Sequence, residues 1–136
     1  MQLSEATVAE LRAHGVAAAW QFGSTVQGAA HADSDIDVAV LLRAGVPAPA
    51  LLERGRIADV LAAALGSADI DLVVLDEAPL ELRAAVVGGG HLIVRIDEPR
   101  RVRFEVETLS RWFDVREALR AQDRAYLARI SREGLP

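Results

Sequence analysis

Apolar and polar positions switch between two periods along this chain, and the switches mark its elements. Ser4 is placed to cap a helix that runs to about His14. Val16 to Phe22 is a short apolar run ending in Gly23-Ser24, the pattern of a buried strand that enters a tight turn. Thr25 to Ser34 is small and polar and predicts a short helical turn plus loop. Asp35 to Leu42 has a period of two: Ile36, Val38, Val40 and Leu42 share one face, and Asp35, Asp37, Ala39 and Leu41 share the other. Pro47 and Pro49 open a helix to about Leu65, with Ile57, Val60, Leu61, Ala64 and Leu65 at helical spacing, and Gly66 ends it. Ile70 to Leu75 is a third strand. Pro79 starts a helix that stops at Gly88-Gly89-Gly90, and His91 to Ile96 is a fourth strand. From about Pro99 to Arg132 the chain reads as helix. Its first stripe, Val102, Val106, Leu109 and Phe113, gives way near Asp114 to Val115, Leu119, Tyr126 and Ile130, which predicts two helices or one kinked helix.

These elements make an α/β or α+β domain, with a central sheet of about four strands and helices packed on it. At 136 residues the chain is expected to be a single domain, 1–136, with C-terminal helices at about 99–132 packed on it. Its 51% apolar content is that of a globular protein, and with 4% aromatics the core must be built from Ala, Val, Leu and Ile.

Composition excludes several function classes. There are no cysteines, so disulfide frameworks, thiolate metal sites and cysteine nucleophiles are out. No basic-then-apolar leader appears between Met1 and Arg12, and no run approaches membrane-span length, so the expected compartment is the cytoplasm, with no membrane partner. A net charge of −5 argues against direct nucleic-acid binding. Every basic residue is Arg, and nine of them lie from Arg100 to Arg132. That segment reads as a salt-bridged helical face, or as a surface for a partner or a phosphate-bearing ligand.

One constellation carries chemistry. Gly23-Ser24 closes a predicted strand, Asp35-Ile36-Asp37 opens the next, and Asp71 lies between Ile70 and Leu72 on the third. Asp35 and Asp37 are two apart, so their carboxylates share a strand face and repel unless a cation bridges them. Magnesium suits that role, because it takes hard oxygen ligands and shares them with phosphates. Three acids are enough for two metals, one on a triphosphate and one on an attacking hydroxyl. Gly23 lets backbone approach a phosphate, and the Ser24 hydroxyl and nearby N–H groups can donate to it. Asp69 shares a face with Asp71 and is the alternative third acid; Asp71, flanked by apolar residues on both sides, is preferred. Asp33 reads as a loop residue or cap and His31 as an exposed loop residue or a nucleotide contact. Arg43 is a weak candidate for a triphosphate contact. Tyr126 reads as core, and Trp112 and Phe113 as core or partner interface.

Gly23-Ser24 followed by Asp35-x-Asp37 and a later strand Asp71 resembles the polymerase-β-type nucleotidyltransferase superfamily. The size resembles its minimal nucleotidyltransferases (MNT), the antitoxin halves of HEPN–MNT toxin–antitoxin pairs. The resemblance extends through Ile70–Leu75 with Ala78-Pro79, the Gly90–Ile96 strand, and Arg103-Phe104-Glu105 leading to Phe113-Asp114. It implies a polymerase-β-like fold with a mixed sheet. Gly23 and Ser24 would hold the nucleotide phosphates, Asp35, Asp37 and Asp71 would hold Mg2+, two ions in all, and Asp71 would help activate the acceptor. It further implies ATP as donor and AMP transfer to a tyrosine of a cognate HEPN toxin, with which an oligomeric complex can form. Two other functions remain open from sequence: nucleotidyl transfer to a small-molecule or RNA hydroxyl, and a non-catalytic module that masks a toxin.

Overall fold

The computed structural model describes residues 3–23 and 35–134. In chain order the elements are α1 (Glu5–Ala13), β1 (Val16–Phe22), β2 (Ile36–Leu42), α2 (Leu51–Leu65), β3 (Ile70–Val74), a 3-10 turn (Leu75–Glu77), α3 (Leu80–Gly89), β4 (His91–Arg95) and α4 (Glu98–Glu133). Local chemistry sets their ends. The Ser4 hydroxyl accepts the Thr7 N–H at 3.2 Å, α2 ends at Gly66, and Asp97 accepts the Arg100 N–H at 3.2 Å at the start of α4. The predicted turn and loop at Thr25–Ser34, with Ser24, His31 and Asp33, lies outside the described residues.

The strands form one mixed sheet in the order β3-β2-β1-β4, with β2 and β3 parallel and β1 antiparallel to both β2 and β4. Alternation along β2 divides the core as the sequence predicts. Val38, Val40 and Leu42 face α1 and α2, where they pack with Leu11, Ile57 and Leu61. Ala39 and Leu41 face the other way, packing with Trp20, Val86 of α3 and Phe104 of α4. Small residues in β1, Ala17 to Ala19, are fully buried. The helix expected to stop at the glycine triplet instead runs through Gly88 and Gly89. Gly90 then turns straight into β4, so close to the Val86 carbonyl and to the Gln21 carbonyl (3.3 Å from a Cβ built there) that a side chain would not fit.

α4 is one helix of 36 residues rather than two. No Gly or Pro falls between Pro99 and Gly134, so nothing in the backbone stops it at Asp114. The change of stripe rotates the apolar face around a continuous axis. Only Phe104 and Thr108 of α4 are buried. Tyr126 is therefore not core: it is 49% exposed, because the helix has by then left the sheet behind.

A polar cluster pins α4 to β2. The Asp76 carboxylate accepts the Leu42 N–H at 2.9 Å and Arg100 Nη2 at 3.0 Å, while Arg100 Nε donates to the Leu42 carbonyl at 3.1 Å. Arg83 Nη2 donates to the Asp76 carbonyl at 3.0 Å, and the Arg83 and Arg100 guanidiniums lie 5.9 Å and 5.6 Å from the Phe104 ring centroid. Both backbone groups of the last β2 residue are thus satisfied by side chains. Asp76→Ala strands the Leu42 N–H and Arg100 together, and is expected to cost about 2 kcal/mol of stability in chemical denaturation. A loss indistinguishable from zero would show that the cluster holds nothing in place.

Candidate active site

The parallel register of β2 and β3 sets Ile36 beside Ile70 and Asp37 beside Asp71. Just before the strands, the Ile36 N–H donates to the Asp69 carbonyl at 3.1 Å, which locks that register at its first rung. Across the other edge of β2, Asp37 opposes Phe22 at the end of β1. Asp37, Asp71 and the preceding Asp35 therefore gather at one end of the sheet. Asp37 is half-buried, and Asp35 and Asp71 are exposed. Asp69 is also exposed, and of the two neighbouring acids it is Asp71 that acts on Asp37.

Electrostatics mark Asp37. Burial first, then the charge of Asp71, a hydrogen bond shared with the Asp71 carboxyl, and the charge of Asp35 all push the Asp37 carboxyl above its ordinary value. No Arg or His side chain forms an ion pair with Asp35, Asp37 or Asp71 among the described residues. Among the described residues, no side-chain cation compensates the negative charge at this end of the sheet.

Gly23 completes the corner. Its φ is +83°, and a Cβ there would run into the Asp37 carboxylate, 3.2 Å from its Cγ and closer still to Oδ2. Only glycine combines that backbone conformation with that approach. Ser24 follows it but lies outside the described residues. Arg43, by contrast, is not brought to the site. It follows Leu42 at the far end of β2, where its Nη2 donates to the Arg12 carbonyl at 3.4 Å. Five residues of strand separate it from Asp37, six steps of rise or roughly 20 Å.

The donor set fits a hard divalent cation: carboxylate oxygens only, negative, partly open to solvent and without a protein cation. Among the described residues, no three His, Cys, Asp or Glu side chains converge closely enough to hold a metal ion by themselves. Asp37 and Asp71 form the close pair, and Asp35 contributes its field from beside them. What the sequence could not reveal was the far-end cluster of Asp76, Arg83, Arg100 and Phe104. Its members are scattered along the chain and have no motif spacing.

A mixed sheet bearing paired acids beside a glycine turn defines a nucleotidyltransferase scaffold, and comparison with known proteins agrees. The family described as "Polymerase beta, Nucleotidyltransferase" matches residues 6–99, so the chain belongs to the polymerase-β nucleotidyltransferase family. It is, further, a minimal nucleotidyltransferase of the antitoxin kind. A chain of a toxin–antitoxin crystallised with AMP-PNP is 31% identical, with 95% of this chain and 99% of that one covered and a TM-score of 0.62. A chain of the MntA–HepT toxin–antitoxin is 28% identical, with 91% and 92% covered and a TM-score of 0.55. A chain of the complex between a tri-AMPylated HEPN toxin from Shewanella oneidensis and its MNT antitoxin is 28% identical, with 93% and 95% covered and a TM-score of 0.56. No curated protein matches at the level of sequence.

The raised Asp37 carboxyl gives a pH prediction for the metal-free protein. The folded state binds this proton more tightly than the unfolded chain, so Asp37 lowers stability as pH rises from about 4 through its folded-state pKa. Asp37→Asn removes that term. In thermal melts with EDTA, the variant is expected to gain on the wild type as pH rises above about 4, the ordinary carboxylate value. A constant difference as pH rises, or a large loss in the variant at neutral pH, would point to a structural role for Asp37.

Proposed function

We propose that this protein is an antitoxin that transfers AMP from ATP onto a cognate HEPN toxin, using magnesium held by Asp35, Asp37 and Asp71. The observation that carries the reading is the strand pairing of Asp37 with Asp71, which leaves two adjacent carboxyl groups and the nearby Asp35 charge without a cation partner among the described residues. The same features suit Asp71 better than Asp69 as the third acid. Two relatives support the finer assignment: one was crystallised as a toxin–antitoxin with AMP-PNP, and the other contains a tri-AMPylated HEPN toxin.

The residues divide the work. The Gly23 backbone, which has no side chain in the way, and the Ser24 hydroxyl bind the nucleotide phosphates. Asp35 and Asp37 hold magnesium, and Asp71 shares it while facing the acceptor. When bound, Mg2+ (two ions in this reading) supplies charge neutralisation at the triphosphate and at the acceptor oxygen. The acceptor hydroxyl, a tyrosine of the toxin, forms a bond to the α-phosphorus of ATP. The bond from that phosphorus to the bridging oxygen breaks, pyrophosphate leaves, and the hydroxyl proton passes to the Asp71 carboxylate. Phosphoryl transfer asks mainly for positioning, and the pairing of Asp37 with Asp71 on adjoining strands supports that role for the sheet. The acceptor comes from a separate protein, which suits a domain this small. No helix among the described residues is long and apolar enough to cross a membrane, and a reaction that consumes ATP belongs in the cytoplasm.

The test is transfer of label from ATP, in magnesium, to the HEPN protein encoded beside this one. Label is expected on the partner, and Asp35→Asn/Asp37→Asn is expected to lower transfer by roughly 10³-fold or more while leaving the fold intact. Undiminished label in the variant would remove these acids from the mechanism. No label at all, together with a tight complex and loss of toxicity, would make the protein a masking antitoxin. Label appearing only on small molecules or RNA would change the acceptor class.

A further inference from the structure

A nucleotide at the acidic site brings phosphates that its strands give no cation to hold. Three carboxylates and a triphosphate together carry more negative charge than two divalent ions cancel. The chain has no lysine, and all fifteen arginines fall within the described residues. Nine of them, Arg12 to Arg103 in sequence, lie around the end of β2 that holds Leu42, because α1 ends there and α2, α3 and α4 begin there. Five more, Arg116 to Arg132, are on the part of α4 that has left the sheet. Arg111 is the one between.

Length and phase both put Arg111 level with the acids. Arg100 fixes the start of α4 over Leu42, through its bonds to the Leu42 carbonyl and the Asp76 carboxylate. From Leu42 back to Asp37 is five steps of strand, about 16 Å. From Arg100 to Arg111 is eleven steps of helix, also about 16 Å. The helix covers that run toward the acids: Phe104 packs with Ala39 and Leu41, and Leu109 then reaches Gly88, 3.9 Å from a Cβ built there, where α3 ends and β4 begins. Asp37 shares the strand face of Ala39 and Leu41. Eleven steps are close to three full turns, so Arg111 repeats the phase of Arg100 to within about 20°. One arginine grips the paired end of β2, and the other stands over its acidic end. Arg111 is exposed, and its guanidinium has no ion-pair or hydrogen-bond partner among the described residues. His91 is the other basic side chain at this end among those described. It pairs with Gln21, which opposes Val38, so it lies on the opposite face from Asp37.

We propose that Arg111 binds the β- and γ-phosphates of the nucleoside triphosphate and holds the leaving pyrophosphate. The inference rests on the nucleotidyl-transfer reading. A planar guanidinium offers two parallel N–H donors to phosphate oxygens. As the bond from the α-phosphorus to the bridging oxygen breaks, its electron pair stays on that oxygen, and a cation there stabilises the charge as it develops. AMP lacks those two phosphates and gains nothing from Arg111.

Calorimetric titration of the purified full chain with AMP-PNP and with AMP, both in magnesium, tests it. Arg111→Ala is expected to weaken AMP-PNP binding by roughly tenfold or more and to leave AMP binding unchanged. Arg111→Lys is expected to fall between the two, since it keeps the charge and loses the fork. Arg103→Ala, earlier on the same exposed helix, is expected to bind both ligands as the wild type does. Circular dichroism checks that each variant folds. Label transfer from ATP to the HEPN partner, run on the same proteins, is expected to fall in Arg111→Ala along with AMP-PNP affinity. If Arg111→Ala binds AMP-PNP as tightly as the wild type, or loses AMP and AMP-PNP equally, the proposal is overturned while transfer by the wild type leaves the broader reading standing. A wild type that neither binds AMP-PNP nor transfers label would remove that reading and this inference with it.

Discussion

Two carboxyl groups held side by side across a parallel strand pair are the constraint on which this molecule turns. Asp37 and Asp71 face one another because β2 and β3 run in the same direction in register. Parallel neighbours bring strand starts together, so both acids and Asp35 arrive at one end of the sheet. The apolar residues between them and the far end supply the stability that this repulsion subtracts. Val38, Val40 and Leu42 pack on one face and Ala39 and Leu41 on the other, all essentially without solvent exposure. At the opposite end the chemistry is the reverse: Asp76 is matched by Arg100 and by the Leu42 N–H. One end of β2 has its charges paired and its backbone capped, and at the other the acids have no cation partner among the described residues. That contrast separates the part of the strand that holds the fold from the part that holds the acidic cluster.

Much of this was legible in the sequence because it is local. The period of two in β2 set the two core faces, and the strand from Val16 to Phe22 was found with its boundaries. Gly66 marked the end of α2. The pairing of Asp37 with Asp71 was legible only as a possibility. Asp69 has the same parity, and the choice between them depends on a register that the Asp69 carbonyl fixes through the Ile36 N–H. Gly23 read as a turn residue; its contact with the Asp37 carboxylate depends on how β1 and β2 pair. Arg43 was misplaced for a similar reason, since closeness in sequence to the acidic pair meant the far end of a strand.

The last helix shows the limit of periodicity. Tyr126 was read as core, and Trp112 and Phe113 as core or partner interface, because amphipathic helices usually bury one face against their own domain. Here the helix outruns the sheet. Only Phe104 and Thr108 are covered, and Tyr126 and Phe113 remain open. Periodicity reports that a face is to be buried and does not say against what. The run of arginines is partly explained by pairs along the helix, such as Arg101 with Glu98 and Glu105 at 2.7 Å and 2.9 Å.

In the proposed function, the adjacent carboxyl groups of Asp37 and Asp71 seat a divalent cation with its nucleotide. The most direct measurement is the melting temperature of the metal-free protein on addition of magnesium with AMP-PNP, for the wild type and for Asp71→Asn. A ligand that binds only the folded state at a hundred times its Kd adds about 2.7 kcal/mol, a shift of several degrees. That rise is expected in the wild type and little or none in the variant. Equal shifts in both proteins, or no shift in the wild type at saturating ligand, would contradict it.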